Sequence, residues 1–543
     1  MNNCSTISGY LIQQLSTHGV RHVFGVPGDY VLGFFHELQC SKLRVINTCD
    51  EQGAGYAADA YARIAGLGAV CVTYCVGGLK LANTTAQAFA EKSPVIVMSG
   101  APGTNERSRS PLLHHKVRDF NTQLKVFEQL TVASTVLDNP HTACREIHRV
   151  FNAALRYKRP VYIEIPRDMV SVPVSLDNIP DEKLELSDMN TLNEALREAG
   201  HMINTSKRPV IIAGIELHRF GLQKELLEFV ENTRIPVVST LLSKSVMSEH
   251  HPLYLGVYGG AMGREEVIRY VESSDCLILL GTFMTDINLG IFTAHLDQGC
   301  SLSVTSEKIS IRYHSYEDIR MEDFIRGMLK INICRRKERG RVHPPLAPPD
   351  FIPGRKITIR HLYQRLNSFL EKEMVVIADT GDAMFAAMDM TIHEETEFLS
   401  AAYYASLGFA VPASLGVQMA KPELRPLVLV GDGAFQMTGM ELSTIARYHL
   451  NPIVVILNNR GYGTERYMRD GPFNDLTTWE YSRIPEIIKS GKGFDIKTED
   501  QLEDALCAVR DYTEDFCILD VHIDQEDCSI ALQRMTKALK KRT

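Results

Sequence analysis

At 543 residues the chain is too long for one hydrophobic core, and about three domains of ~150 residues each are expected. Its 45% hydrophobic and 23% charged residues are the balance of an ordinary globular protein, which excludes a disordered or fibrous chain. A formal net charge of −8 argues against a nucleic-acid surface, and no apolar run approaches the roughly 18 residues of a membrane span. No basic region followed by an apolar stretch opens the chain, so a cytoplasmic enzyme is expected. The twelve cysteines form no Cys-x2-Cys pair, and those such as Cys71 and Cys75 in apolar segments read as buried reduced thiols.

The first domain is expected over residues 1–172. Gly25-Val26-Pro27-Gly28-Asp29-Tyr30 ends a strand and presents Asp29 in a turn. A second strand, Val45 to Asp50, leads into Glu51 and a helix crowded with small residues, Gly53 to Arg63. An acid at a helix start is commonly a dipole-favouring cap. Farther on, Leu112-Leu113-His114-His115 sets a histidine pair in a polar loop, followed by Lys116. A cation there is placed to shift the titration of its neighbours.

The chain turns polar from about Ser171 to Asn190, and a middle domain is expected over 190–335. Its Val/Ile/Leu-rich strands at Val210–Ile212, Pro236–Val238 and Cys276–Leu280 lack a Gly-x-Gly-x-x-Gly turn, so it reads as a scaffold without a dinucleotide. A basic, proline-rich linker from Arg335 to Arg355 precedes a third domain over 356–543. Short buried strands alternate with helical patterns in all three, which indicates parallel α/β sheets. Three segments repeat a proline followed by a buried strand, at Pro94, Pro209 and Pro452.

The third domain carries the most specific pattern. Leu427 to Val430 is an apolar run that ends in Gly431-Asp432-Gly433; Ile453 to Leu457 is another, ending in Asn458-Asn459-Arg460-Gly461. Asp432 and Asn459 lie 27 positions apart, the length of one βαβ unit, so both polar ends fall at the carboxyl edge of a sheet, where ligands bind. Mg²⁺ takes about six oxygens, some from substrate phosphates. Asp432 offers a carboxylate, Asn459 an amide oxygen and Gly461 a backbone carbonyl. Gly431 and Gly433 permit a sharp turn close to a phosphate, and the helix that follows points its N-terminus at the anion. A magnesium diphosphate fits these residue types.

Gly-Asp-Gly, a gap of under thirty residues and Asn-Asn together resemble the cofactor motif of the thiamine-diphosphate (ThDP) enzymes. The helix opened by Glu51 resembles that family's activating-glutamate segment. Gly28-Asp29-Tyr30 and His114-His115 resemble motifs of its 2-oxo acid decarboxylase branch, the relatives of pyruvate and indolepyruvate decarboxylases. The resemblance covers essentially the whole chain. It implies three doubly wound α/β parallel-sheet domains: pyrimidine-binding, Rossmann-like scaffold and diphosphate-binding.

The activity implied is ThDP- and Mg²⁺-dependent, non-oxidative decarboxylation of a 2-oxo acid to an aldehyde and CO2. By the same resemblance, the Glu51 carboxyl bonds the aminopyrimidine ring and favours its imino tautomer. Asp29, His114, His115 and Glu465 surround the substrate and handle protons. Asp382, Ala405, Leu407, Ala434 and Tyr462 join Glu51, Gly431, Asp432, Gly433, Asn459 and Gly461 around the cofactor, with Leu407 wedged between its two rings. Met384, Phe385, Thr464, Met468 and Met535, with Phe283, line the pocket for the substrate side chain. Pyruvate-specific relatives carry Trp where Met384 aligns. The smaller, adaptable methionine implies branched-chain, long-chain or aromatic substrates, including indolepyruvate and phenylpyruvate. Pyruvate itself, or a carboligating or oxidising reaction on the same fold, is the alternative. The family's activating cysteine has no counterpart in Glu216 to Gly221. A homodimer is expected as the least active unit, with a homotetramer as the full assembly. The C-terminal segment Ile530 to Thr543 reads as a basic helix with Leu532 and Met535 on its apolar face, either a solvated tail or a lid.

Overall fold

The computed structural model describes residues 4–175, 186–337, 350–392 and 397–539. The centres of both linkers, and the end of the C-terminal segment beyond Leu539, lie outside these residues. Three large sheets hold the described chain together. The first runs Arg44–Asn47, His22–Val26, Gly68–Val72, Val95–Ala101, Val161–Pro166, Ser134–Val136, and every pairing is parallel. The last runs Phe398–Ser400, Met374–Ala378, Arg425–Gly431, Ile453–Asn458, Cys517–His522, Lys492–Ile496, again all parallel. Counted from each sheet's own first strand, both orders are 2-1-3-4-6-5. The proline-led strands at Val95 and Ile453 occupy the same fourth place in the two sheets.

The middle sheet departs from a purely parallel pattern. Tyr254–Val257, Val237–Ser239, Pro209–Ala213, Cys276–Leu280 and Ser301–Val304 are parallel, but Ile309–Ile311 and His314–Tyr316 continue the edge antiparallel. These two strands are three residues each, joined by a tight turn at Arg312, where φ is +55°. They are too short to show a period in the sequence. The polar stretch after Ser171 also begins with structure: Pro173–Ser175 pairs antiparallel with Cys4–Thr6 and ties the chain's start to the first sheet's helices.

The first and third sheets meet through two helices buried on all sides, Glu51–Ala65 and Ala410–Ala420. A Cβ on Gly416 would lie 2.0 Å from the Ala57 carbonyl oxygen, so only glycine lets the backbones approach. Arg63 is buried in this seam. It bonds Asp59 at 2.8 and 2.9 Å, lies 3.1 Å from Glu91, and donates to the Ser400 carbonyl. Among the described residues no helix is long and apolar enough to cross a membrane.

Candidate active site

Because the strands of the first and third sheets are parallel, everything that follows a strand collects at one edge. In a 2-1-3-4 order the connections diverge between strands 1 and 3, opening a crevice there. In the third sheet those strands are Met374–Ala378 and Arg425–Gly431. Their ends carry Asp379 to Asp382 and Asp432.

Asp432 is buried. Its Oδ1 accepts the Gly433 N–H at 2.8 Å and its Oδ2 accepts the Gly461 N–H at 3.1 Å, so the two halves of the motif meet at one carboxylate. Burial pushes its pKa up to about 6, against the pull of those backbone donors. A buried carboxylate of this kind is suited to a divalent cation, which would supply the opposite charge that the donors do not. The Gly461 carbonyl accepts from Gly463 N–H at 3.0 Å and keeps a second lone pair. A Cβ on Gly463 would lie 2.5 Å from Asn459 Nδ2, so the glycine leaves that amide its space. Gly431 faces open space, while a Cβ on Gly433 would strike the Tyr462 ring at 2.6 Å. The helix starts at Asp432 itself, two residues earlier than a helix following Gly433 would, and ends at Thr438, so it is short. Ala434 lies buried in its first turn.

Asp382 has one oxygen on the Ser529 N–H at 2.8 Å, and its Oδ1 is buried with no partner. Burial raises its pKa to about 6 as well. Gly381 beside it adopts φ +106°. An orphaned buried oxygen and an open glycine face fit a cradle for a polar ligand.

Ala405 and Leu407 sit in a turn clamped by two acids that the sequence did not bring forward. Glu91 Oε1 accepts the N–H groups of Tyr403 and Tyr404 at 2.9 and 3.1 Å. Asp379, fully buried, accepts those of Thr380, Gly408 and Ala410 at 2.9, 3.0 and 2.8 Å. Between these clamps Ala405 holds φ +60°, a conformation that a non-glycine residue keeps only when its surroundings over-determine it. Leu407 packs partly buried on the cluster shared by the first and third sheets. Asp379→Ala would strip three backbone donors at about 1–3 kcal/mol each. Its urea midpoint should fall by the equivalent of at least ~3 kcal/mol; an unchanged midpoint would remove Asp379 as the holder of this turn.

In the first sheet, Asp29 follows strand 1 and its Oδ2 lies 2.7 Å from His114 Nε2. The rings of His114 and His115 stand edge to face at 4.7 Å, with Tyr30 4.9 Å from His114 and its hydroxyl on the His114 carbonyl. His115 takes φ +66°, and its Nδ1 is buried without a partner. Asp29, His114 and His115 therefore form one cluster. Lys116 turns away from it. Its Nζ bonds Ser110 and the Pro111 carbonyl and stacks over Phe120.

Glu51 opens its helix behind Asp50, whose side chain caps Gln52 N–H at 2.7 Å. Glu51 Oε2 lies 2.8 Å from Lys80 Nζ, a residue the sequence patterns left unremarked. Glu441 from the third sheet's unit accepts the N–H groups of Cys49 and Asp50 and so fixes this helix start. No hydrogen bond or ion pair among the described residues joins the side chains of Glu51, Asp29, His114 or His115 to Asp432 or Asn459.

Of the pocket residues, Met384 is fully buried, and Phe385 and Met535 share its apolar cluster, with Phe283 packed against it. Leu532 belongs to the same cluster, so the helix Ile530–Leu539 is docked along its apolar face. Thr464 lies on the short helix Gly463–Met468, which also presents Glu465 to solvent, and Met468 is 67% exposed.

Three family models match the chain: the N-terminal TPP-binding domain of thiamine pyrophosphate enzymes over residues 5–125, their central domain over 196–321, and their C-terminal TPP-binding domain over 379–521. The chain is 35% identical over 505 residues to an indole-3-pyruvate decarboxylase of Azospirillum brasilense, covering 91% of each. It is 32% identical over 545 residues to a probable pyruvate decarboxylase of Schizosaccharomyces pombe, covering 97% of this chain and 94% of that one. It is 30% identical over 541 residues to pyruvate decarboxylase 1 of Pisum sativum, covering 96% and 91%. Fold and site thus define a thiamine-diphosphate enzyme. More narrowly, the chain belongs to the ThDP-dependent 2-oxo acid decarboxylases, a family of carboxy-lyases.

Proposed function

We propose that this decarboxylase acts on branched-chain, long-chain or aromatic 2-oxo acids, phenylpyruvate and indolepyruvate among them, in preference to pyruvate. The observation that carries this is the apolar cluster of Met384, Phe385 and Met535, with Phe283 against it, at the start of the helix that Asp382 opens. Methionines re-form around different apolar groups, and each extra buried methylene gains about 0.8 kcal/mol. The relatives' names span both substrate classes, so the pocket carries the distinction.

In this reading Mg²⁺ is held by Asp432, Asn459 and the Gly461 carbonyl, with the diphosphate against Gly431, Gly433, Ala434 and Asp382. Ala405, Leu407 and Tyr462 shape the cofactor's bed. Bound ThDP supplies the nucleophilic carbon and the electron sink for decarboxylation. Glu51 bonds its pyrimidine ring. Asp29, His114, His115 and Glu465 hold and pass protons to the substrate, and the Asp29–His114 bond keeps that imidazole oriented.

The site is completed by a second chain. The first domain's loops expose Val76, Leu112 and Val117, and the short helices and turns that follow the third sheet's strands expose Met437, Met440, Met468 and Phe473. Apolar surface of this extent beside both half-sites suits an interface. A homodimer is the least active unit, a homotetramer the expected assembly, and the cytoplasm the expected location.

The test is kcat/KM for pyruvate, 2-oxoisovalerate, phenylpyruvate and indolepyruvate on holoenzyme. The larger acids should lead by about fourfold or more for each additional buried methylene; pyruvate in first place would refute the preference. Met384→Trp should move the ranking toward pyruvate. Because Met384 is fully buried, the larger ring is expected to cost about 1–3 kcal/mol of stability as well. An unchanged ranking in a folded variant would remove Met384 from the pocket.

A further inference from the structure

A cavity lies between the middle sheet's unit and the third; it adjoins the apolar cluster just described, to which its Ile359, Tyr363, Ala386 and Met390 belong, but Met384, Phe385 and Met535 do not line it. It encloses about 100 Å³. Its floor is apolar: Ile359, Tyr363, Ala386, Met390 and Ile530. Its walls carry three arginines, Arg264, Arg360 and Arg534, against one carboxylate, Asp389.

Asp389 is already shared. Its Oδ1 accepts from Arg264 Nε at 3.0 Å, and its Oδ2 lies 3.4 Å from Arg534 NH1. Arg534 also donates to the Met262 carbonyl at 3.1 Å. Arg360 is exposed and has no acid partner among the described residues. The cavity therefore keeps an uncompensated positive charge beside an apolar floor.

We propose that this cavity is a binding site for a small monocarboxylate with a short branched apolar tail, distinct from the catalytic site. The carboxylate would lie on the guanidinium of Arg360, with Arg534 beside it, and the tail on Ile359, Ala386 and Met390. Guanidinium forks match carboxylates in geometry and charge. A cavity of about 150 Å³ accommodates the six carbons of benzene, so the smaller volume here suits an apolar tail of about three or four carbons, with the carboxylate outside it on the arginines. The site touches Ala386 on the helix Asp382–Ala387 and Ser529 at the start of the helix Ile530–Leu539, the two helices that carry Met384, Phe385 and Met535. An occupant would thus press on both elements that shape the catalytic pocket.

The probe is 3-methylbutanoate, which has no 2-oxo group to react. It is titrated calorimetrically into holoenzyme, wild type and Arg360→Glu, with Arg360→Lys as the charge-preserving control. Wild type and Arg360→Lys should bind with affinities within a few-fold of each other. Arg360→Glu should bind at least tenfold more weakly while keeping its kcat and KM for the 2-oxo acid substrate. Equal affinity in wild type and Arg360→Glu would overturn the proposal, as would no binding to wild type at millimolar concentrations. A parallel loss of affinity and of KM would place the probe in the catalytic pocket and overturn it too.

Discussion

Glu51→Gln holoenzyme should lose decarboxylation by about 10²–10⁴-fold, the range over which a positioned proton-handling group contributes, while its fold persists. The side chain sits at the first position of a helix whose start is held independently. Asp50 caps Gln52, and Glu441 takes the Cys49 and Asp50 N–H groups. Among the described residues the ion pair that the substitution removes is to Lys80, which is 47% exposed, and such a pair contributes about 0–1 kcal/mol at most. An amide preserves the size and still accepts a hydrogen bond, but it cannot share a proton with a ring nitrogen as a carboxyl does. Lost turnover with an unchanged urea midpoint and unchanged ThDP affinity is the expected result. Turnover near the parent's would take Glu51 out of the chemistry.

The second large effect is expected at Asp432. Asp432→Ala should weaken Mg²⁺ and ThDP together, each by at least about 100-fold, since even loss of a residue that only supports a metal ligand costs 10–100-fold. In the proposed site the two affinities are tied, because Asp432 would hold the metal and the metal would neutralise the diphosphate. The carboxylate also joins the two motif halves through Gly433 and Gly461, so its removal frees two buried N–H groups and should lower stability by about 2 kcal/mol or more. Calorimetric titration of each ligand in the presence of the other reads this directly. If ThDP affinity held while Mg²⁺ affinity fell, the shared anchor would be wrong.

Sequence patterns reached what depends on near neighbours. The runs at Leu427–Val430 and Ile453–Leu457 are adjacent parallel strands, in register from Leu427↔Ile453 to Gly431↔Leu457, which is why Asp432 and Gly461 come within a hydrogen bond. Glu51 does open a helix of small residues, and the close helix contact at Gly416 explains why they are small. What stayed hidden depends on residues far apart in the chain. Glu441 reaches Asp50 across 391 positions and Glu91 reaches Tyr403 across 312. Neither acid lies in a local pattern that marks it. Asp379 follows the apolar strand Met374–Ala378, but nothing local marks it as the acceptor for Gly408 and Ala410, which only the turn's folding brings to it. Lys80 looks like any surface cation until the Gly78–Leu81 turn sets it between Asp50 and Glu51. The antiparallel end of the middle sheet escaped for another reason. Three-residue strands carry too few alternations to stand out from loop.

The most direct test of the account is product stoichiometry. Purified protein loaded with ThDP and Mg²⁺ is given 2-oxoisovalerate or phenylpyruvate under air and under argon, and CO2 and aldehyde are both quantified. One aldehyde should form for each CO2, at the same rate with and without oxygen, with no product when ThDP is withheld. Oxygen-dependent CO2 release, a coupled hydroxyketone in place of the free aldehyde, or no CO2 from either acid would contradict it.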